Sequence, residues 1–335
     1  MGEITGPSIL IAGAGAVGSV LGAMLYARGH RVTMLGRRTH LAAIAREGLE
    51  VGGVFGECKV RGLPLAIDPG SLNGRFDVIL LCVKSYDTVA MADALKGWLS
   101  DDGVIVSMQN GLANIEALAA RFGASRVLGA RIIFGAEIPR PGTAHVTVCA
   151  DPVASGPAPA IHGGRSARLE PRAAEIAAMI DQSGVPAIGC ADVMPVLWSK
   201  VLYNVALNPL GALLNLSYGE IASDPDLRTI MDSTIDEAFA ASRAMRIALP
   251  FADGAAYRET FYKRLIPSTF NHRPSMLYDL RRRGRTEIGA LNGKIAEISE
   301  RFGLRAETNR ILTRLVRAAE RARQAEMRTE QREGS

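Results

Sequence analysis

Residues 8–35 read SILIAGAGAVGSVLGAMLYARGHRVTML, and this stretch decides the fold of the N-terminal half of the chain. It opens with a short apolar run, residues 8–12, that ends in a glycine-rich turn. Residues 19–28 then have a helical composition that stops at Gly29, and a second apolar run begins at Arg31. Strand, glycine-rich turn, helix and second strand, in this order, predict the first unit of a parallel α/β sheet.

The turn itself has the spacing GxGxxG, which is typical of a dinucleotide-binding site. In such a turn the first glycine permits the tight bend, the second lets the backbone approach a pyrophosphate, and the third lets the helix pack closely on the strand. Free N–H groups at the start of the helix bind the anion. The alternative, a glycine-rich turn without a ligand, is disfavoured by the strands and helix around it. The predicted cofactor-binding residues of the turn are Gly13, Ala14, Gly15, Ala16, Val17 and Gly18.

The end of the second predicted strand indicates which dinucleotide binds. A site that prefers NAD has an acidic residue there, which accepts a hydrogen bond from the ribose 2′-hydroxyl and repels a 2′-phosphate. This chain has Gly36-Arg37-Arg38 instead, and arginine accommodates that phosphate. We therefore predict NADP(H) as the cofactor, with Arg37 as the first choice for the contact and Arg38 as the second. The alternative is that both are ordinary solvated arginines.

Two further buried strands are predicted at residues 77–83, DVILLCV, and 103–108, GVIVSM. Lys84 follows the first of them and Asn110 follows the second. Ligands of open α/β sheets lie outside the carboxyl ends of the strands. We therefore expect Lys84 and Asn110 near the nicotinamide and the substrate, although polar residues are common at strand ends in any case.

The rest of the first half predicts smaller elements. Residues 48–67 predict short strands that elaborate one edge of the sheet, and residues 127–138 and 143–150 predict further strands. Residues 151–168 are rich in Pro, Gly, Ala and Ser and predict a surface loop of low order. A last strand is expected near Val185.

From Asp192 onward, long helical patterns replace the strands. The predicted fold is therefore an α/β Rossmann-like N-terminal domain with a mostly parallel sheet, followed by an all-α C-terminal domain. The first covers residues 1–191, the second residues 192–328, and residues 329–335 are expected to form a disordered tail. Within the second domain, helices are predicted over residues 225–246, 254–265, 275–283, 287–302 and 308–327.

The start of this second domain, residues 197–215, reads LWSKVLYNVALNPLGALLN and combines an apolar helix with a polar row. Lys200, Asn204 and Asn208 recur every four residues, so on a helix they drift by only ~80° and share one face. Burying such groups is costly unless each has a partner, which is either protein or a polar ligand. Pro209 is expected to kink or end the helix, so that Asn215 does not share this face.

Composition and charge narrow the possible functions. The formal charge of +5 comes largely from late arginines, and no recognition motif for nucleic acid accompanies it, so no nucleic-acid partner is predicted. The four cysteines are scattered and predict buried thiols in a reducing compartment, with no metal site. The chain shows no signal-peptide pattern and no apolar run of about 18 residues, so we expect a cytoplasmic protein that does not bind membranes.

Two further motifs complete a pattern that is similar to a known family. Trp198 to Ala212 reads WxKxxxNxxxNPLxA, Ser275 to Asp279 reads SMLxD, and Thr286 to Gly293 reads TEIxxLNG. With the glycine turn, these motifs resemble the ketopantoate reductases, which reduce ketopantoate to pantoate with NADPH in the pathway to pantothenate and coenzyme A. The resemblance extends to about residue 312; residues 149–169 are longer and richer in proline than the family pattern.

The resemblance implies roles for individual residues. Lys200 matches the catalytic lysine, Glu287 matches the carboxylate beside the reacting centre, and Ser275 matches a serine that binds substrate. Asn204 and Asn208 match asparagines that face the substrate. The positions that match contacts to NADPH or to the substrate site are Arg37, Lys84 and Asn110, and Glu287 is counted with the cofactor-binding residues as well.

These roles define an expected reaction and its alternatives. Hydride addition to a ketone develops negative charge on oxygen, and Lys200 is the expected acid for that oxygen. One alternative keeps the fold and cofactor but has another branched 2-oxo acid, or a related hydroxy acid, as the small-molecule substrate. Another alternative is a non-catalytic protein that binds NADPH and reports redox state, which would not need Lys200, Ser275 and Glu287. A monomer and a homodimer are both compatible with the sequence.

Overall fold

The computed structural model describes residues 6–164 and 166–333, except for the side chains of His162 and of residues 331–333. The chain divides into two compact units. The first runs to Gln109 and resumes over Asn114–Met194, and the second comprises Asn110–Ala113 and the chain from Pro195 onward. The division at Met194 lies close to the expected boundary after residue 191, whereas the assignment of Asn110–Ala113 to the second unit had no signal in the sequence.

The first unit contains twelve strands, all short and mostly apolar. They are β1 Ser8–Ala12, β2 Arg31–Leu35, β3 Leu49–Gly53, β4 Cys58–Val60, β5 Leu65–Ala66, β6 Phe76–Leu81, β7 Leu99–Ser107, β8 Val127–Arg131, β9 Phe134–Glu137, β10 Thr143–Cys149, β11 Val153–Gly156 and β12 Ala187–Gly189.

Eight of these strands form the main sheet, in the order β12-β11-β8-β7-β6-β1-β2-β5. Every neighbouring pair is parallel except β8 with β11, which confirms the predicted mostly parallel sheet. From β5 to β8 the order matches the dinucleotide-binding arrangement 3-2-1-4-5-6, in which the order reverses between the first and fourth strands. In this chain the reversal lies between β1 and β6.

The other four strands form a second sheet, in the order β4-β3-β10-β9. This differs from the expectation that residues 48–67 extend one edge of the main sheet, because only β5 does so. β3 instead pairs with β10 in parallel register, and buried side chains of both strands, including Val51 and Val146, join the core of the first unit. The sequence had no signal for this pairing between distant segments.

The segment of residues 151–168 was expected to be a surface loop of low order, and that prediction was wrong for part of it. β11 lies in the main sheet between β8 and β12, and all four of its residues are buried. Ala154, Ser155 and Gly156 pair with β8, so that backbone hydrogen bonds compensate for the small side chains.

Six helices belong mainly to the first unit: α1 Ala16–Ala27, α2 Arg38–Glu47, α3 Thr88–Leu95, α4 Ala113–Phe122, α5 Pro159–His162 and α6 Leu169–Gln182. The second unit is built from α7 Met194–Leu214, α8 Tyr218–Ser223, α9 Pro225–Ala244, α10 Gly254–Thr260, α11 Ile266–Ser268, α12 Ser275–Arg283, α13 Asn292–Arg301 and α14 Glu307–Glu333. The predicted change from a sheet to helices is therefore confirmed.

Two expectations about these helices are corrected. Of the two outcomes expected for Pro209, a helix end is not found, because α7 continues through it to Leu214; Asn215 lies beyond the end of the helix. Its missing N–H leaves the carbonyl of Val205 without the usual helical donor. The side chain of Asn292 donates to that carbonyl instead, at 2.9 Å.

The expected disordered tail from residue 329 is also different, because α14 continues to Glu333. Arg323 holds this last part through ion pairs with Glu326 at 3.1 Å and with Glu330 at 3.0 Å. Gly334 and Ser335, the end of that predicted tail, lie outside the described residues. Across the described part of the chain, no helix is long and apolar enough to cross a membrane.

Candidate active site

The glycine turn lies between β1 and α1, beside the carboxyl end of β6. Gly13 has a φ of +117°, and a Cβ at this residue would be 2.7 Å from the backbone nitrogen of Val83. A Cβ on Gly18 would collide with the carbonyl oxygen of Gly13 and lie 3.0 Å from Ile11. Both residues therefore have to be glycine because of the packing within this unit.

Gly15 differs from these two glycines because a Cβ there would meet nothing within 4 Å. It precedes α1 as its N-cap, and no side chain caps this helix end. The first N–H groups of a helix have no partner within the helix, and they bind anions well. The open space and these N–H groups fit the pyrophosphate of a dinucleotide.

The predicted arginines lie next to this turn. Gly36 approaches it so closely that a Cβ on Gly36 would be 2.5 Å from the Cβ of Ala14. Arg37 follows as the N-cap of α2 and Arg38 begins that helix, and both side chains are exposed. The first turn of α2 contains no acidic residue. These two exposed guanidinium groups could contact an anionic group of a bound dinucleotide.

Lys84 follows β6 and is half-buried, as a residue of the same unit as the glycine turn. A buried network that no sequence motif predicts joins the segment after β6 to the segment after β7. Gln109 donates to the carbonyl oxygen of Val83 at 2.8 Å and to the hydroxyl of Thr88 at 2.7 Å, and Thr88 donates to Asn114 at 2.9 Å. Gln109 directly precedes Asn110 in the sequence, but no sequence motif connects Gln109 to its partners Val83 and Thr88.

Asn110 belongs to the second unit, where it connects the two predicted catalytic residues. Lys200 donates from Nζ to Oδ1 of Asn110 at 2.7 Å. Asn110 in turn donates from Nδ2 to Oε2 of Glu287 at 3.3 Å. Lys200 is half-buried, and Glu287 is only 7% exposed. The structure therefore brings Lys200, Asn110 and Glu287 together from parts of the chain separated by up to 177 residues.

The backbone after Asn110 is held against the same unit. Gly111 has a φ of +90°, and a Cβ on it would be 2.5 Å from the carbonyl oxygen of Ala290. That carbonyl also accepts from the N–H of Leu112 at 3.2 Å. Glycine at this position therefore allows the chain to approach the turn that follows Glu287.

The two asparagines of the predicted row lie on α7 together with Lys200. Asn204 is 8% exposed and Asn208 is 5% exposed. Asn208 accepts at Oδ1 from the hydroxyl of Tyr218, at 3.1 Å. Burial raises the pKa of Tyr218 well above its ordinary value, so this hydroxyl stays protonated and donates. Because the amide oxygen of Asn208 accepts from Tyr218, its amide nitrogen points away from Tyr218. No pattern in the sequence predicts this contact.

Ser275 is the one predicted substrate residue that lies on an exposed position, as the first residue of α12. Its neighbour Pro274 packs against α7, because a Cβ on Gly211 would be 2.7 Å from the Pro274 ring. Gly211 is three residues after Asn208 and therefore adjoins it on the helix surface. Ser275 thus begins its helix close to the end of the polar row.

Helix α14 supports the position of Glu287. Glu320 accepts from both the N–H and the hydroxyl of Thr286, at 2.6 and 2.7 Å. Gln324 donates to the carbonyl of Gly284 at 2.7 Å. Thr286 is part of the TEIxxLNG motif, so its identity was visible in the sequence, but its partner was not.

The available side chains limit the kinds of catalysis that the candidate site residues can perform. Among the described residues, no group of three or more His, Cys, Asp or Glu side chains could hold a metal ion. Cys82, next to the glycine turn, is no nucleophile at neutral pH, because burial raises the pKa of its thiol to about 12. The candidate site residues offer hydrogen-bond donors, acceptors and the ammonium groups of Lys84 and Lys200, which suit the binding of a polarised carbonyl compound.

Comparison with known proteins agrees with these features. The family model of ketopantoate reductase PanE/ApbA matches residues 9–159, and the model of its C-terminal domain matches residues 192–320. The 2-dehydropantoate 2-reductase of Aquifex aeolicus (strain VF5) is 34% identical over 314 residues, which cover 93% of this chain and 96% of that protein.

Solved structures show the same relationship. A PanE/ApbA family ketopantoate reductase from Ralstonia eutropha JMP134 has a TM-score of 0.81 and 31% identity, covering 95% of this chain and 99% of that one. D-mandelate dehydrogenase, solved with NADH and anilino(oxo)acetate, has a TM-score of 0.82 at 22% identity, covering 95% and 99% of the two chains, which shows a shared fold. With both family models and these relatives matched over nearly its whole length, the chain belongs to the ketopantoate reductase family of oxidoreductases.

Proposed function

We propose that this protein reduces 2-dehydropantoate (ketopantoate) to pantoate with NADPH, a step of the pathway to pantothenate and coenzyme A. Family membership supports the reaction type. The observation that carries the assignment of the chemistry is the chain of hydrogen bonds from Lys200 through Asn110 to Glu287. It holds an ammonium group in a fixed position on the same helix as two buried carboxamides.

NADPH would be held by the turn Gly13–Gly18, with the 2′-phosphate at Arg37 and with Lys84 and Asn110 toward the nicotinamide. The open space at Gly15 and the uncapped start of α1 favour this assignment. When bound, the cofactor supplies the hydride that reduces the keto carbon. The chain must then supply the proton and the orientation of the substrate.

Lys200 is the residue that we assign as general acid. The oxygen of a ketone becomes negative as the carbon accepts hydride, and a nearby cationic donor stabilises that charge. An ammonium carries three N–H donors, and Asn110 fixes the direction of one of them at 2.7 Å. Glu287 keeps Asn110 in this orientation, because its carboxylate accepts from the amide nitrogen and leaves the amide oxygen for Lys200.

The substrate would lie along the polar face of α7. Ketopantoate has a carboxylate and a hydroxyl, and carboxamides can both donate and accept. We assign Asn204 and Asn208 to these groups, with Ser275 as a further donor to the carboxylate. Asn208 has its oxygen engaged by Tyr218, which favours its amide nitrogen as the group for an anionic or carbonyl partner. Glu287 would accept from the substrate hydroxyl.

The test is a spectrophotometric assay of NADPH and NADH oxidation with ketopantoate and a panel of branched 2-oxo acids. We expect ketopantoate with NADPH to give the highest kcat/KM. An analogue without the hydroxyl should lose at least about a hundredfold, because it leaves polar groups of the site unpaired. A higher kcat/KM for another 2-oxo acid would identify that acid as the substrate instead of ketopantoate. Tight NADPH binding without turnover of any acid would instead support the non-catalytic sensor.

The same proposal includes no partner other than the small-molecule substrate and places the protein in the cytoplasm. Both a monomer and a homodimer accommodate it. Sedimentation velocity over a range of protein concentrations distinguishes the two.

A further inference from the structure

A buried amide on α13 occupies the place of the hydrogen-bond donor that α7 lacks. In an α-helix the carbonyl of residue 205 accepts from the N–H of residue 209. Residue 209 is proline, which has no N–H and whose ring crowds that same carbonyl. Val205 is fully buried, so water cannot compensate. Without a substitute donor, this carbonyl would be an unsatisfied polar group in the core.

Asn292 supplies the donor. Its Nδ2 is 2.9 Å from the carbonyl oxygen of Val205, and the whole residue is inaccessible to solvent. The same nitrogen donates to Oδ1 of Asn309 at 3.0 Å. Both N–H groups of the amide are therefore used, and one of them takes the role of the missing backbone amide.

The amide oxygen of Asn292 shows which part of the side chain is important. Within the described part of the chain, its Oδ1 is buried and has no hydrogen-bond partner. An unsatisfied buried acceptor costs stability, so the oxygen of this amide does not explain an asparagine at this position. The useful part of the side chain is its NH2 group.

Asn292 belongs to a buried hydrogen-bond network that includes Asn309. Asn309, also fully buried, donates to the carbonyl of Thr234 at 3.2 Å and to Glu237 at 2.7 Å. Glu237 accepts from the backbone N–H of Thr308 at 2.8 Å and thereby caps the start of α14. Asn309 therefore connects Asn292 to α9 and α14 through one N–H of the Asn292 amide, whereas the other N–H makes the separate bond to Val205.

The location of Val205 connects this network to the polar row. Val205 follows Asn204 directly, and Pro209 follows Asn208 directly. Asn292 is also five residues beyond Glu287, on the far side of the short turn that packs on Gly111. One side chain therefore links the part of α7 that carries both asparagines to the segment that carries Glu287.

We infer that Asn292 is a positioning residue of the active site. It replaces the missing amide of Pro209 and keeps α7 in the conformation in which Lys200, Asn204 and Asn208 share one face. Asn292 does not touch the substrate in this role. The inference rests on the proposed function for its catalytic consequence, but the pairing of Asn292 with Pro209 holds independently of the substrate.

A double-mutant cycle tests the pairing. Leucine is similar in size to asparagine, but its side chain has no N–H. Because Asn292→Leu leaves the buried carbonyl of Val205 unpaired, it should lower kcat/KM for ketopantoate about tenfold to a hundredfold, mainly through KM. Pro209→Ala restores the backbone N–H. In the Pro209→Ala background, the additional change Asn292→Leu should therefore cost less than about threefold, since α7 no longer needs the side chain.

Asn309→Leu is the matched control. It is the same chemical change at an equally buried asparagine, and it removes the Asn292–Asn309 hydrogen bond but leaves the bond to Val205. It should lower the urea midpoint at least as much as Asn292→Leu, while its KM stays near wild type and shows no coupling to Pro209. Equal losses of kcat/KM in Asn292→Leu and Asn309→Leu would mean that general loss of stability explains the effect, and would overturn the inference.

The remaining outcomes are also decisive. If Asn292→Leu fails to fold alone, Pro209→Ala/Asn292→Leu should still fold, and failure of both overturns the pairing. If the wild-type protein reduces no 2-oxo acid, the proposed function has failed, and the same cycle measured by urea unfolding still tests the pairing. If the losses of unfolding free energy caused by the two changes are simply additive in that measurement, the pairing is overturned.

Discussion

Replacement of Lys200 by methionine tests the proposed chemistry most directly. Methionine keeps an unbranched side chain of similar length, so the apolar environment of α7 is preserved. The change removes the ammonium that is 2.7 Å from Oδ1 of Asn110. It therefore removes the proposed acid for the keto oxygen and also leaves the oxygen of Asn110 without this donor.

The size of the effect can be worked out from these two losses. A positioned general acid contributes about a hundredfold to ten-thousandfold in rate, or ~2.7–5.5 kcal/mol of transition-state stabilisation. Loss of the charge-assisted hydrogen bond alone is worth ~1.5–3 kcal/mol. Asn110→Ala, which keeps the ammonium but removes its anchor, should therefore lower kcat/KM by only about tenfold to a hundredfold. We expect Lys200→Met to be the more severe of the two variants.

The assay is steady-state oxidation of NADPH with ketopantoate, with a buried lysine elsewhere in the second unit as control. Lys294, on α13, is 6% exposed and pairs with Glu297 at 2.7 Å. It lies about 200° around the helix from Asn292. Lys294→Met makes the same chemical change away from the site, so it should cost stability but retain the wild-type kcat. A Lys200→Met enzyme whose kcat stays within about tenfold of wild type would refute the reasoning, because that loss is below the range of a general acid.

Three other predictions follow from the geometry. Arg37→Glu should raise the KM for NADPH about tenfold to a hundredfold and leave that for NADH nearly unchanged, as seen in parallel titrations; equal changes for both cofactors would contradict the 2′-phosphate contact. Gly18→Ala should prevent folding or lower the melting temperature strongly, whereas Gly15→Ala should melt like wild type and bind NADPH more weakly by calorimetry; similar melting curves for both variants would argue against the packing described for the turn. Glu320→Ala should lower kcat about tenfold because it releases the loop that holds Glu287, and Glu320→Gln, which keeps an acceptor, should recover most of that loss; a Gln variant as slow as the Ala variant would show that the hydrogen bonds are not what matters.

The sequence by itself determined the local features. Period and composition predicted β1, α1 and β2 with the glycine turn between them, because each of these elements is specified by neighbouring residues. The interval of four also placed Lys200, Asn204 and Asn208 on one face of a helix, since helical geometry alone decides that. The family motifs added Ser275 and Glu287 as members of the same site.

Only the tertiary structure decided which distant groups meet. The path from Lys200 to Glu287 runs through Asn110, which is 90 residues before one of them and 177 before the other, and no local pattern specifies such contacts. Pro209 shows the same limit most clearly. Its local chemistry predicts a kink or an end of the helix, yet the helix continues, and the carbonyl of Val205 accepts from Asn292, 87 residues further along the chain. The identity of a residue shows which hydrogen-bond donor its backbone lacks, but only the packing of the whole unit determines which other group supplies that donor.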